Sequence, residues 1–208
     1  MARLIYVMDP MCSCCWGFAP VLQALAEQAG AQAQLELVVG GLRREQAVMD
    51  QRARKRVLSH WQAVHAATGQ PFDFAGGLPQ ALIYDTEPAC RALVAARDLD
   101  AARVWPFAWL IQQTFYAEGR DVTQPALLVE LAEAVGLPPD RFAERFDSQT
   151  CRAATEADFS WAQNLGIAGF PTLLAERNGQ LALLTNGYQP LPALAPLLAR
   201  WLERNAHG

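Results

Sequence analysis

Residues 9–18 read D-P-M-C-S-C-C-W-G-F and contain the most informative pattern of the chain, a C-x-x-C pair formed by Cys12 and Cys15. The pair lies between a short apolar run and a segment whose apolar residues recur at helical spacing. A helix start presents unpaired N–H groups and the positive end of the helix dipole, and both stabilise a thiolate. We therefore expect a lowered pKa for Cys12, with Cys15 one helical turn further along the same face. Two thiols in this arrangement can alternate between a dithiol and a disulfide.

The segments on either side of the pair predict a β-α-β unit. Residues 3–8 are an apolar run typical of a buried strand, and residues 16–29 carry apolar residues at helical spacing before Gly30. Residues 34–39 alternate apolar and polar side chains, as a half-buried strand does. Two strands joined through a helix are normally parallel.

The middle of the chain predicts helices only. No strand pattern stands out in residues 46–166, where helical segments follow one another, beginning with residues 47–68. A later helix has Thr86 as its predicted N-cap. These segments form one long helical block between the second and third predicted strands of the mixed part of the chain.

The last part of the chain again mixes strands and a helix. Residues 172–176 and 181–185 are apolar runs separated by a turn that contains Asn178 and Gly179, a strong hairpin signal. Residues 191–202 then form an amphipathic helix. The predicted fold class is α/β. The predicted domains are a discontinuous unit of residues 1–42 and 166–208, and an all-helical insertion of residues 43–165.

Composition excludes several classes of function. The chain has 208 residues, a net charge of −4 and 52% hydrophobic residues, which is typical of a folded globular protein. This charge gives no electrostatic reason to expect binding to nucleic acid or to a membrane surface, and we interpret the basic residues 52–56 as a solvated helix face. No stretch approaches the ~18 uninterrupted apolar residues of a membrane span.

The expected compartment is the cytoplasm. The apolar run before Asp9 is shorter than the apolar core of a secretory signal, so a chain with its native start at Met1 would remain inside the cell. Cytosolic thiols are kept reduced, and a C-x-x-C pair in the cytosol is therefore more often catalytic or metal-binding than a structural bridge.

A second mark, G-F-P-T at residues 169–172, stands directly before the third predicted strand. The order β-α-β then β-β-α, with C-x-x-C at the first strand-to-helix junction and this proline before the third strand, resembles a thioredoxin fold. The long helical block resembles the DsbA family, and in particular its cytoplasmic branch, often described as predicted protein disulfide isomerases. The further marks of this branch are G-G-L-R at 40–43, E-P-A-C-R at 87–91, F-Y-A-E-G-R-D at 115–121 and G-I-A-G-F-P-T at 166–172.

The resemblance implies a thiol–disulfide oxidoreductase. Cys12 would be the nucleophile, Cys15 the resolving cysteine, and Pro171 a cis-proline that faces them. No bound cofactor is expected beyond the redox-active disulfide itself, with glutathione as a candidate co-substrate. The expected partners are protein or peptide thiols and disulfides, with glutathione or the thioredoxin system as candidate redox partners. Reduction or isomerisation is easier to sustain in a reducing cytosol than net oxidation.

Residues around the pair are candidates for substrate binding. Pro171 has no N–H, so the backbone of Phe170 can pair with an extended substrate. Met11 and Trp16 are candidates for an apolar platform beside this edge, whereas Phe18 is expected to be a core residue.

Two positions depart from the family pattern. Cys14 stands where the branch usually has a large residue, commonly Trp, and it is either a third redox thiol or a small filler. We favour the filler, because a bridge between adjacent cysteines would be strained. Tyr6 stands where thioredoxin and DsbA carry a buried acid, so the proton acceptor for Cys15 is open. Asp9 is one candidate, although such a residue is more often structural.

The remaining candidates are less specific. Cys90 and Cys151 are expected to pack as small hydrophobic residues. A zinc site needs four ligands, and the chain offers no second C-x-x-C and only His60, His65 and His207 as histidines, so no metal is expected.

Two other functions compete with disulfide exchange. Kappa-class glutathione transferases and chromene-carboxylate isomerases share the insertion topology, but they carry serine where this chain has Cys12. A non-enzymatic protein that binds thiols or metals is the third possibility. Arg43 and Arg44, which follow the second predicted strand, are weak candidates for binding an anionic group such as a glutathione carboxylate.

Overall fold

A four-stranded mixed sheet forms the centre of the protein in the computed structural model, which describes residues 2–204. The strands are β1 (Ala2–Met8), β2 (Ala33–Val39), β3 (Arg44–Val48), β4 (Ile83–Asp85), β5 (Thr172–Arg177) and β6 (Gln180–Asn186). The helices are α1 (Ser13–Ala29), α2 (Gln51–Thr68), α3 (Glu87–Leu99), α4 (Val104–Tyr116), α5 (Pro125–Ala134), α6 (Pro139–Asp147), α7 (Gln149–Asn164) and α8 (Leu191–Arg204). His207 lies outside the described residues.

The central sheet has the strand order β2-β1-β5-β6. Strands β1 and β2 are parallel, and the other neighbouring strands are antiparallel. The predicted β-α-β unit and the predicted hairpin are therefore confirmed. At the hairpin turn, Asn178 and Gly179 have φ values of 54° and 79°. Asn and Gly adopt this left-handed region more easily than other residues, so the turn follows from the local sequence.

Strand β1 is buried on both faces, because helices cover both sides of the sheet. Leu4, Tyr6 and Met8 face the main hydrophobic core. Ile5 and Val7 face a second, smaller core that includes residues of β5 and α7. Successive side chains of a strand point to opposite faces, so burial on both sides requires the continuous apolar run seen in the sequence.

A two-stranded antiparallel ribbon of β3 and β4 lies within the helical insertion. The prediction that residues 46–166 contain no strand is therefore wrong at this point. All five residues of β3 are exposed, so the segment has no alternation of apolar and polar residues to reveal a strand. Helix α2 consequently begins at Gln51 rather than at residue 47. Asp50 precedes it, and its carboxylate accepts a hydrogen bond from the N–H of Ala53 at 2.7 Å.

Helix α3 is largely buried, with eight of its 13 residues in the protein interior. Its alanines allow close approach of the neighbouring elements α4, α6, α7 and β2, so it links the insertion to the sheet. Thr86 directly precedes α3 as predicted, but its hydroxyl makes no cap hydrogen bond to the helix. Within residues 2–204, none of the helices combines the length and the apolar character needed to cross a bilayer.

Candidate active site

Cys12 lies where β1 leads into α1, as the C-x-x-C pattern predicts. Its backbone is extended, with φ −93° and ψ 115°, and α1 begins at the next residue, Ser13. The Cys12 carbonyl accepts the N–H groups of Cys15 and Trp16 at 3.0 and 3.1 Å, so the first helical turn is anchored on it. Cys12 is 6% exposed and Cys15 is fully buried. A substrate can therefore reach Cys12 more easily than Cys15.

The Cys12 thiol faces the loop that leads into β5. Its Sγ donates to the backbone carbonyl of Phe170 at 3.7 Å, and the peptide bond between Phe170 and Pro171 is cis. Pro171 is buried and Phe170 is half-buried. The Phe170 ring packs on Gly40, where an added Cβ would come within 2.1 Å of the ring. The absence of a side chain at Gly40 therefore lets Phe170 approach Cys12.

The pKa of the Cys12 thiol differs from the lowered value expected at a helix start. A hydrogen bond with Cys14 lowers this pKa, but hydrogen bonding to Cys15, burial and the charge on Cys15 raise it well above the ordinary cysteine value. All five cysteines are free thiols in this structure. The expectation of a low pKa is therefore wrong for this reduced form, because closely spaced thiols oppose one another's ionisation.

Tyr6 lies beside the resolving cysteine. Its ring is buried and stacks on Phe18 with ring centroids 5.9 Å apart, and it interacts electrostatically with Cys15. Burial and the charges of Cys15 and Cys12 raise the pKa of Tyr6 well above its ordinary value. The phenol therefore stays protonated at neutral pH, and it can hydrogen-bond to the Cys15 sulfur without removing its proton. Phe18 is fully buried, which confirms its predicted place in the core.

Asp9 is a fully buried carboxylate that holds the active-site loop. Its Oδ1 accepts the N–H of Met11 at 2.8 Å, and its Oδ2 accepts the N–H of Leu42 at 2.7 Å. The Thr86 hydroxyl and the Cys90 thiol also donate to Oδ2, at 2.6 and 3.4 Å. Burial raises the pKa of Asp9, and these hydrogen bonds partly offset the rise. Both oxygens are engaged by donors outside the C-x-x-C pair, so the structure supports the structural role of Asp9.

Cys90 and Cys151 are fully buried, which confirms the prediction that they pack as small hydrophobic residues. Burial raises the pKa of both thiols. Cys151 donates to the backbone carbonyl of Arg91 at 3.6 Å. The role of Cys90 as a donor to Asp9 was not predicted, because the two residues are 81 positions apart in the sequence.

The two residues predicted to form an apolar platform lie in different surroundings. Met11 is fully buried, its carbonyl accepts the hydroxyl of Tyr84 at 2.6 Å, and it contributes to the wall of the cavity next to Cys12. Trp16 turns away from that cavity. Its Nε1 donates to the Pro71 carbonyl at 2.9 Å, and its ring stacks on Tyr116. Trp16 therefore packs against residues of the helical insertion and does not face the cavity.

A cavity of about 440 Å³ opens beside the Cys12 thiol, between α1 and α2. Its apolar wall includes Phe170, and its polar wall includes Arg43, Arg56 and His60. Arg43 also places its guanidinium 4.9 Å from the centre of the Tyr84 ring. The cavity thus combines an apolar wall with a few basic side chains, which is typical of a small-molecule site. The other lining residues are Met11, Cys12, Ser13, Cys14, Leu42, Met49, Ala53, Val57, Trp61 and Tyr84.

Two residues of the polar wall, Arg56 and His60, were not predicted from the sequence to lie near Cys12. Arg56 belongs to the basic run that was expected to be a solvated helix face, and it is exposed as expected, but it also lines the cavity beside Cys12 because α2 packs against α1. The spacing of four between Arg56 and His60 was the available signal, since it places them on one face. Of the two arginines after β2, Arg43 reaches the cavity, whereas Arg44 pairs with Glu156 at 2.8 Å.

No group of three or more His, Cys, Asp or Glu side chains within residues 2–204 is arranged to hold a metal ion. The reactive groups that the site presents are the thiols of Cys12, Cys14 and Cys15. A thioredoxin-type sheet interrupted by a helical insertion, with two cysteines at the start of the first helix, defines the class of DsbA-like oxidoreductases.

Comparison with known proteins agrees with this class. A family model described as thioredoxin matches residues 5–194. A protein from Nitrosomonas europaea, provisionally described as a protein disulfide isomerase, is 40% identical with a TM-score of 0.92, covering 100% of this chain and 99% of that one. The chain therefore belongs to the thioredoxin family, in the group of DsbA-like oxidoreductases that carry a helical insertion.

Two further relatives have more specific descriptions. DsbM from Pseudomonas aeruginosa, a cytosolic disulfide reductase that has also been solved with GSH, is 32% identical with a TM-score of 0.80. The match covers 96% of this chain and 98% of DsbM. The ClpXP adapter protein SpxH of Bacillus subtilis is 22% identical over 173 residues, which cover 80% of this chain. The match spans only 55% of SpxH, little more than half of that protein.

Proposed function

We propose that this protein is a thiol–disulfide oxidoreductase that reduces or isomerises protein and peptide disulfides through Cys12 and Cys15. The observation that carries the proposal is the arrangement of the two thiols. Cys12 retains slight exposure and faces the Phe170 carbonyl next to Pro171, while Cys15 is fully buried one helical turn behind it. This difference in exposure supports an attacking and a resolving role for the two cysteines.

The proposed reaction moves two electrons from the dithiol to a substrate disulfide. The Cys12 thiolate attacks one sulfur of the substrate, the substrate S–S bond breaks, and the departing thiolate takes a proton from solvent. Cys15 then loses its proton and attacks the Cys12 sulfur of the mixed disulfide. The second substrate thiol leaves, and a bond between Cys12 and Cys15 remains. The backbone of Phe170 would hold an extended substrate during these steps.

Glutathione is the proposed reductant that restores the dithiol. Two glutathione molecules supply the two electrons and leave as oxidised glutathione. The cavity beside Cys12 supports this choice, because the guanidinium groups of Arg43 and Arg56 can pair with carboxylates next to the attacked sulfur. The DsbM structure solved with GSH supports the same ligand by relationship. The thioredoxin system is the alternative electron source.

The proposed direction is reduction or isomerisation, and the proposed compartment is the cytoplasm. In that compartment a glutathione pool keeps dithiols reduced, so net oxidation by this pair would have no sustained driving force. The description of DsbM as a cytosolic reductase supports both points.

The test is reduction of insulin by the purified protein with glutathione as the electron source. We expect wild type and Cys151→Ala to reduce insulin at similar rates, because Cys151 is buried away from the motif. Cys12→Ser should be inactive. Full activity of Cys12→Ser would refute the proposal. A glutathione-conjugation assay on the same samples separates the kappa-class alternative, which predicts conjugation that survives the loss of the Cys12 thiol.

The SpxH relatives favour one other candidate, a protein that binds a partner without changing its redox state. Such a protein would bind its partner equally well as wild type and as Cys12→Ser, and neither would reduce insulin. Insulin reduction that depends on Cys12 would exclude binding as the whole function.

A further inference from the structure

Cys14 has a defined environment that neither attack nor resolution by the C-x-x-C pair uses. It lies in the first turn of α1, is half-buried and contributes to the cavity beside Cys12. Its Sγ is 3.5 Å from Nε2 of His60 on α2, and it lines the same cavity as Cys12. A residue that only filled space would need neither an imidazole nor a nucleophilic thiol as a neighbour.

The helix geometry lets Cys12 bond to either of the other two thiols. Ser13 and Cys14 are helical, so the Cα of Cys12 lies about 5.0 Å from that of Cys15 and about 5.4 Å from that of Cys14, from the helix radius and rise. Both separations are within the range of about 4.4–6.8 Å found in disulfides. Cys14 and Cys15 are only about 3.8 Å apart as consecutive residues, below that range. By Cα separation, therefore, Cys12 is within disulfide distance of both Cys14 and Cys15, whereas Cys14 and Cys15 are not within it of each other.

We propose that Cys14 is a second resolving cysteine, which attacks the mixed disulfide on Cys12 while His60 accepts its proton. The proposal rests on the proposed function, because it needs a mixed disulfide at Cys12. The Cys14 sulfur forms a bond to the Cys12 sulfur, and the bond between Cys12 and the substrate sulfur breaks. The substrate leaves as a thiolate and takes the proton from His60. The products are a disulfide between Cys12 and Cys14 and one free substrate thiol.

The state of Cys12 controls how readily Cys14 can act. In the reduced protein, hydrogen bonding to Cys12, burial and the charge of Cys12 raise the pKa of Cys14, while His60 lowers it. In the mixed disulfide Cys12 carries neither a thiol proton nor a negative charge, so two of the three causes of the raised pKa are removed. His60 still favours the thiolate. Cys14 therefore becomes nucleophilic when there is a mixed disulfide to resolve.

The experiment removes the first resolving thiol and counts the products. Cys15→Ser and the double variant Cys15→Ser/Cys14→Ser are each treated with one equivalent of dithiobis(nitrobenzoate), whose released thiol is coloured. We expect Cys15→Ser to release two thiols and to become two hydrogen atoms lighter, with peptide mapping that links Cys12 to Cys14. The double variant should release one thiol and keep the nitrobenzoate adduct. Serine retains a hydroxyl donor beside Cys12, so the first step stays comparable.

The other outcomes separate the inference from the proposed function. A stable adduct on Cys12 in Cys15→Ser would overturn the role of Cys14 and leave Cys12 as the nucleophile. Adducts on both Cys12 and Cys14 would also overturn it, since the two thiols would then react independently. If Cys12 takes up no adduct in either variant, the proposed function fails together with the inference. Cys90 and Cys151 are fully buried, so they do not add to the count in the folded protein.

The part played by His60 has its own readout. In the Cys15→Ser background, His60→Ala should slow release of the second thiol by about tenfold or more, because it removes the proton acceptor. Free imidazole in the buffer should restore the rate. If His60 only held α2 in place, imidazole would have no effect, and His60 would then have no part in the proton transfer.

Discussion

The buried carboxylate of Asp9 supports the sharpest prediction about stability. Replacement by Ala leaves the backbone N–H groups of Met11 and Leu42 without an acceptor, and each unpaired buried donor costs about 1–3 kcal/mol. Two such groups cost about 2–6 kcal/mol, and relief of the buried charge offsets part of that sum. We expect a net loss of about 3 kcal/mol in the free energy of unfolding, measured by urea denaturation at pH 7.

Two other variants provide a comparison for the destabilisation expected of Asp9→Ala. Thr86→Val removes a single donor to the carboxylate and leaves both backbone groups paired, so it should cost about 1 kcal/mol. Asp9→Asn keeps the shape but presents an amide NH₂ group in place of one oxygen, and about 1–2 kcal/mol is expected. If Asp9→Ala proves no more destabilising than Thr86→Val, the carboxylate is not the anchor of the active-site loop.

The pH dependence of the free energy of unfolding provides a second, independent test of the role of Asp9. Its folded-state pKa is raised, so the protonated carboxyl is favoured in the folded protein over the unfolded chain. The stability that this group contributes is fully present below the unfolded pKa of about 3.9 and is lost as the pH rises through the folded pKa. The difference in unfolding free energy between wild type and Asp9→Asn should therefore grow in favour of wild type as the pH falls from 7. A difference that shrinks on acidification would contradict this assignment.

Two further predictions concern the cavity. Gly40→Ala should reduce the rate of insulin reduction by about tenfold without unfolding the protein, because overpacking against the Phe170 ring costs about 1–3 kcal/mol. Gly169→Ala is its control, since an added Cβ there meets only one side-chain oxygen, at 3.3 Å, and an equal loss in both variants would contradict the role of the ring. Arg56→Gln should raise KM for glutathione about two- to fivefold with kcat little changed, as loss of an exposed ion pair implies. Arg52→Gln, an exposed residue of the same helix outside the cavity, should leave KM unchanged, and equal effects of both would exclude a specific site.

Local pattern was sufficient for most elements of the fold. Strand β1 is a continuous apolar run of strand length, helix α1 repeats its apolar residues at the helical period, and the Asn-Gly turn predicts the hairpin of β5 and β6. The ribbon of β3 and β4 could not be predicted in the same way, because β3 is exposed and its pairing to β4 is long-range. A strand without a buried face leaves no periodic signal in its sequence.

Sequence alone was enough to predict the C-x-x-C pair at the start of α1, the proline before β5 and the order of the elements of the central sheet, since these depend on neighbouring residues. Only the tertiary structure decided what surrounds the pair. In the folded protein α2 packs over the thiols, so that His60 contacts Cys14. The Asp9 carboxylate likewise accepts hydrogen bonds from residues that are distant in the sequence. These contacts join residues that are 46 and 77 positions apart in the sequence. Contacts over such separations depend on tertiary packing, and no local pattern of residues predicts them. For the same reason the raised pKa of Cys12 emerged only from the assembled cluster of thiols.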